Sequence, residues 1–354
     1  NSTGPQFRLD IAVAGRLERS AVVDLAVELQ GAAIDDTALT WAADPEEAVE
    51  FLPGGRLQFL SAGRVELAAE AEVEGRLERG RATLDIAVPP PIVFDLLVDG
   101  NRDIYVAALD GGDLTRLTQA GADDLDPTAA AGTVVFTSFG DGNGELYSIP
   151  LSGGTPVRLT ETADDEIQPS LSNDGARIAY TYDATGVFKL WTADVDGNGA
   201  AAATAEFGSG GSIEGSPSWA PSGDRLVFMS TTNGTADLFD LLLDGSDPVE
   251  LIAGNMADVE PAWGPDGAEV VFVSNRTGDA ELWLYRLGTQ ELVQLTDNPG
   301  SDGEPAWLPD GRIVYTSWVG LVPELRWLDP AQPEVVHEIA LQVGEPRRPS
   351  GVLE

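Results

Sequence analysis

The chain has 354 residues, 43% of them hydrophobic, and carries 59 acidic against 20 basic side chains for a formal charge of −39. That is enough apolar content for two or three domains with a sizeable core, and a surface this acidic repels phosphate backbones and anionic lipid, which argues against nucleic acid and charged membranes as partners. The absence of cysteine excludes disulfide frameworks, thiolate zinc sites and Cys nucleophiles, and no run approaches the roughly 18 apolar residues of a membrane span. The acidic coat suits saline surroundings or solubility; a second reading is a surface that collects divalent cations.

The first residue is Asn1 rather than Met, and "NSTGP" is polar. It resembles the tether of a bacterial lipoprotein, so a lipid anchor upstream of residue 1 is one expectation. Sequons at Asn1, Asn233 and Asn275 matter only in a glycosylating host. The stretches "FRLDIAVAG", "SAVVDLAVELQG", "ALTWAAD", "AVEFLPGGRLQFL", "GRVELAAEAEV" and "ATLDIAVPPP" alternate apolar and polar residues between Gly, Asp and Pro signals, predicting an all-β sandwich over residues 1–87. Its core phrase, Leu39 to Ala71, is similar to the bacterial Ig-like group 2 repeat. "VPPP" at 88–91 reads as a stiff, extended spacer.

From residue 92 onward one phrase recurs. Its proline-led head stands at 124–136, 166–180, 214–228, 258–272 and 302–315, with head prolines Pro127, Pro169, Pro217, Pro261 and Pro305 spaced by 42, 48, 44 and 44 residues. Each head runs into a β-rich stretch ending in Phe136, Tyr180, Phe228, Phe272 or Tyr315. A turn, a second run ("ELYSI", "KLWTA", "DLFDL", "ELWLY", "ELRWL"), an Asp/Gly turn and a last strand follow, the last often closing on Leu-Thr. Four short strands per repeat are the unit of a β-propeller blade. A sixth copy is split: residues 92–118 lack a head, and "VGEPRRPSG" at 343–351 supplies one, read at Pro346. The expected domain is a six-bladed propeller over 92–354, closed by a C-terminal strand because an open ring leaves an unpaired edge.

These repeats resemble the TolB-type propeller repeat, the WD40-like PD40 family, on "PSWAPSG", "PAWGPDG" and "PAWLPDG". The resemblance implies a ring with the head strands innermost and a place in the bacterial periplasm or at the cell surface. The chain departs from TolB itself, whose first domain is α/β.

The inventory for chemistry is thin. His337 is the sole histidine, which excludes triads and multi-histidine metal sites, and it reads as a half-buried residue of an outer strand. "GSGGS" at 208–212 fails the nucleophile-elbow pattern. "DVDGNG" at 194–199 matches half of a calcium loop, but the twelfth position falls on Ala205, so a hairpin turn is favoured. One constellation recurs: Asp124, Glu166, Glu214, Asp258 and Asp302 stand three residues before the head prolines, with Val343 breaking the pattern. If head strands line the channel, these form a carboxylate ring at one mouth. Each acid then accepts backbone N–H bonds from a neighbouring blade, or the ring holds Ca²⁺ or Mg²⁺, or a pair performs glycoside hydrolysis.

The expectation for function is a non-catalytic binding or scaffolding protein of the bacterial envelope, with a protein partner at a propeller face. The alternatives are a structural subunit that self-associates into a filament or layer, and a carbohydrate- or peptide-processing enzyme at the channel.

Overall fold

A computed structural model describes residues 9–353, apart from 15, 30–31, 34–38, 54–55, 74–75, 184–185, 205–206, 209–210, 253 and 342. The "NSTGP" segment, the Asn1 sequon and Ala205 lie outside the described residues. The chain divides into two compact units, Asn1–Pro89 and Pro90–Glu354. Pro91, counted with the spacer in the sequence, opens the first strand of the second unit, Pro91–Val98.

In the first unit one sheet orders Leu9–Ala14, Val22–Leu29, Arg56–Phe59 and Val49–Leu52, with Ala32–Ala33 on Val22–Leu29, and a second sheet orders Leu39–Asp44, Gly63–Val73 and Arg76–Ile86. Period-two alternation sends Val65, Leu67, Ala69 and Ala71 of one strand inward. With Val23, Leu57 and Phe59 of the first sheet, and Leu84 and Ile86 of their own, Val65 and Leu67 form a single core between the two sheets.

The second unit is built of four-stranded antiparallel sheets. Four of these stand alone, led by Glu166–Leu171, Glu214–Trp219, Asp258–Trp263 and Ser301–Trp307. An eight-stranded sheet joins two more such sets, because the last strand, Glu345–Leu353, pairs antiparallel with Pro91–Val98 and parallel with Asp124–Ala130 at Ala129↔Val352 and Ala130↔Leu353. The first strands touch in succession from Asp124–Ala130 through Ser301–Trp307 to Glu345–Leu353, and so back to the start. The aromatic residues that end the second-strand runs, Phe136, Tyr180, Phe228, Phe272 and Tyr315, are all buried, and fill the space between neighbouring sheets.

Every first strand carries a bulge at the same place. The residue before the head proline has a left-handed φ: Asp126, Gln168, Ser216, Glu260 and Glu304 lie between 51° and 54°, and the register slips there. The closing strand has its own copy at Arg348, φ 52°, with the register shift between Arg347 and Ser350. Its head proline is therefore Pro349, 44 residues after Pro305, and not Pro346. The position three residues earlier, assigned above to Val343, falls on Pro346.

At Gly351 the closing strand passes so close to its neighbour that a Cβ would stand 2.4 Å from the Trp307 carbonyl oxygen. Deleting residues 343–354 should expose the edges of Pro91–Val98 and Asp124–Ala130, and Gly351→Leu should force the strand off Trp307. Thermal melts are expected to show a loss of about 10 °C or more, or aggregation, in both variants. A truncated chain melting with the full one would contradict this account of closure.

Candidate functional site

Asp124, Glu166, Glu214, Asp258 and Asp302 are each at most 2% exposed, and each stands where one sheet hands over to the next. They do not gather at a channel mouth, and among the described residues no three His, Cys, Asp or Glu side chains converge as ligands for a metal ion. An innermost strand turns its backbone edge toward the axis and its side chains toward the neighbouring sheets, which is why the acids enter the seams.

Each seam has its own set of partners. The Thr162 hydroxyl donates to Glu166 at 2.8 Å, and Lys189 Nζ and the Ser212 hydroxyl each donate to Glu214 at 2.8 Å. Arg276 donates to Asp258 at 2.7 Å, and the Asn298 amide to Asp302 at 2.6 Å. Asp124 has only the Ser138 and Thr118 hydroxyls. Ser212 is the one residue of "GSGGS" with a visible task; Ser209 and Gly210 lie outside the described residues.

The sequence reading missed a second acid in most seams, at the start of the third strand: Asp103, Glu145, Asp237 and Glu281, all buried. The equivalent residue of the remaining seam described here is Lys189, the chain's only lysine. The Thr that closes the fourth strand ties the seam together. Thr118, Thr160, Thr204 and Thr296 accept the N–H of Ile104, Leu146, Leu190 and Leu282 at 2.8 to 3.0 Å. Thr296 also donates to Glu281 at 2.5 Å. That explains the recurring Leu-Thr. Glu145 and Glu166 face one another; burial pushes Glu166 up to about 7, with the Glu145 charge adding to it, so this pair holds one proton near neutrality.

The side chains that do reach the channel come from the bulges. The Gln168 N–H donates to Asp126, Ser216 N–H to Gln168 Oε1 at 3.0 Å, Glu304 N–H to Glu260 Oε2 at 2.7 Å, and Arg348 N–H to Glu304 Oε2 at 2.8 Å. Arg348 then pairs with Asp126 at 2.5 Å, joining the end of the series to its beginning. Arg347 pairs with Glu304 at 2.8 Å. Burial raises the carboxyls of Asp126 and Glu260, and Asp95, buried beside Arg102, is pushed up to about 7 by the same cause. The left-handed φ before each proline emerges only in the structure, and the bulge it makes is what turns the side chain inward. At the other end of the channel a cavity of about 110 Å³ is ringed by Trp219, Trp263 and Trp307 with Ser170, Ser218 and Ser350.

The remaining motifs are accounted for by structure. "DVDGNG" is the hairpin turn between Phe188–Asp194 and Ala201–Ala202, with Asn198 N–H donating to Asp196 at 3.0 Å. His337 lies in an outer strand, Val336–Glu338. It is more exposed than the half-buried residue expected, with one ring face stacked on Trp327 at 3.9 Å.

Lys189→Met should leave Glu214 buried without its cation and cost about 3–5 kcal/mol in a denaturant melt, with most of the loss recovered by adding Glu214→Gln. A single variant within about 0.5 kcal/mol of wild type would contradict the pairing. Glu166 has a folded-state value of about 7 against an ordinary 4.5, so its contribution to stability is complete below the ordinary value and is lost as pH rises through 7. Between pH 5 and 8 the melting temperature of the wild type should therefore fall relative to that of Glu166→Gln; parallel profiles would show that the pair holds no such proton.

No curated protein matches the chain. Among solved structures it is similar to TolB from Acinetobacter baumannii, with a TM-score of 0.68 at 15% identity over 88% of this chain and 82% of that one. A putative TolB from Agrobacterium tumefaciens gives 0.59 at 18% identity over 72% and 90%. A puromycin hydrolase S511A mutant gives 0.51 at 18% identity, over 73% of this chain and 46% of that one. At these identities the likeness is one of fold. The family described as the TolB beta propeller domain, PD40, matches residues 90–264 and 200–290. That span is more than half of the sequence, and the chain belongs to this family.

Proposed function

We propose that the chain is a non-catalytic binding or scaffolding protein of the bacterial envelope, outside the cytoplasm, that docks a protein partner on the face where the first strands begin. In this reading the six four-stranded sets are the blades of one closed ring, and residues 1–87 are an Ig-like module that serves as a stalk or a second contact.

The observation that carries it is the distribution of exposed apolar side chains. The antiparallel register brings the hairpins between second and third strands to the end where the first strands start, as Asp124↔Ser138 and Ser301↔Trp318 show. Phe139, Val319, Leu321 and Val322 are on those hairpins, with Leu321 95% exposed at its tip, and Ile213, Met256 and Val343 stand exposed just ahead of first strands. In a chain of charge −39 a shared face of this kind is unfavourable in water unless something covers it. The channel offers less to a reacting substrate, because the carboxylates of Asp126, Glu260 and Glu304 are occupied by backbone N–H groups and arginines. The same face supports the structural reading, in which it meets another copy of the chain once salt or divalent cations screen the repulsion. The likeness to a hydrolase supports the enzymatic alternative by fold only.

Chemical cross-linking of the full chain in envelope preparations from its own source, compared with Leu321→Asp, tests the reading. A cross-linked partner retained by wild type and lost in the variant at unchanged melting temperature is expected. Partners held equally by both forms, or turnover of a glycan or peptide library, would overturn it.

A further inference from the structure

We propose that the cleft at the seam between the Asn101–Ala108 sheet and the Asp124–Ala130 sheet binds a primary alkylammonium group, carried by a free aliphatic amine or by a lysine side chain. The cleft has a volume of about 650 Å³, and Asp124 lies on its floor with Thr118, Ser138, Asp141 and Tyr147 around it. Asp124 is 2% exposed and its Oδ1 has no hydrogen-bond partner; one oxygen of Glu166 and one of Asp302 share that state, but Asp124 is the acid that lines an open cleft.

The repeats act as controls on one another. Four residues before the seam acid stand Thr162 and Asn298 in two of the other copies, and each donates to it; the same position here is Ala120, which has nothing to donate. Glu214 and Asp258 receive Lys189 and Arg276 instead. At the seam of Leu295 and Thr296 the corresponding cleft, about 410 Å³, is lined by Asn298 and Arg326 and does not include the acid; Tyr147 stands where Arg326 does. Asp124 thus has the opening without a nitrogen donor of its own, because the donors of its seam, Arg116 and Asn101, are taken by Asp103. A buried carboxylate in this state is costly, and a cation that enters the cleft recovers the difference.

The chemistry of that cation follows from the seam the chain has filled for itself. Lys189 Nζ donates to Glu214, to the Ser212 hydroxyl and to the Phe207 carbonyl at 2.8 to 3.1 Å, three acceptors for three N–H bonds. At Asp124 a carboxylate again stands beside a hydroxyl, that of Ser138, while Leu117, Tyr147 and Pro156 give the walls an apolar surface for an alkyl chain. A single unpartnered oxygen does not match the paired acceptors that a guanidinium prefers. A hydrated calcium ion asks for six to eight oxygens, and no three acids converge here.

Calorimetric titration of the full chain with n-butylamine and with Nα-acetyl-lysine amide, both at neutral pH, tests this. Saturable binding with a Kd on the order of 1 mM is expected for at least one, weakened about tenfold or more by Asp124→Asn and by Thr155→Trp, which fills the cleft from its exposed rim. Asp196→Asn, which removes the same charge from an exposed turn, should bind as wild type does. The tighter probe identifies the source, a free amine or a partner's lysine. No saturable binding of either probe, equal binding by tetramethylammonium, or undiminished binding by both cleft variants would overturn the proposal.

Discussion

A β-sheet ends in a strand whose outer N–H and C=O groups lack partners, and a ring of sheets settles this at its axis only when its last sheet meets its first. Here the chain's final strand inserts between Pro91–Val98 and Asp124–Ala130, so the two sheets at the start of the ring become one. Gly351 permits the approach to Trp307, and Arg348 joins the hydrogen-bond series of the channel to Asp126. Without that strand the remaining first strands still pack in succession, but the series lacks its last member, and the seam network rests on sheets with nothing to hold them in register.

Burying carboxylates in the seams is an odd choice beside an all-apolar interface, given the desolvation each ion suffers. What makes them tolerable is a local partner for at least one oxygen of each, although Asp124, Glu166 and Asp302 leave their other oxygen without one. A Thr hydroxyl, an Arg, a Lys, an amide or a shared proton stands at each acid, and the Thr also takes up a third-strand N–H. The apolar layer lies alongside. Trp219 and Trp307 donate their indole N–H to the carbonyls of Ser170 and Ala262 on the preceding first strand, and Arg177 lies over the Trp219 ring at 4.5 Å. The head phrase of the repeat is therefore a description of one seam: acid for the network, bulge for the channel, Trp for the neighbour.

Much of this was legible because Pro, Gly and Trp at fixed spacing leave little freedom in where strands begin and end. The split copy was legible as well, since residues 92–118 have every element but a head. The head's register was not, because "EPRRP" offers two prolines and only the bulge at Arg348 decides between them. The direction of the five acids was missed for a more general reason: spacing shows that residues are equivalent, while the side to which an innermost strand turns them depends on the neighbouring sheet. The partner acids Asp103, Glu145, Asp237 and Glu281 begin their own runs in plain sight, yet nothing in a single repeat says that they meet an acid of the next. Lys189 was visible as the only lysine, and its place opposite Glu214 became readable only once the third-strand acids had been aligned.

The sheets of the second unit are thus joined by apolar clusters with partnered acids beside them in the seams. All of it rests on the closing strand being an integral member of the ring. Native-state hydrogen exchange of the amides of residues 345–353 tests this most directly. The account predicts that those which pair with Pro91–Val98 and Asp124–Ala130 exchange as slowly as the amides of the other first strands, through global unfolding. Exchange at the rate of a frayed chain end, with the other first strands still protected, would contradict it.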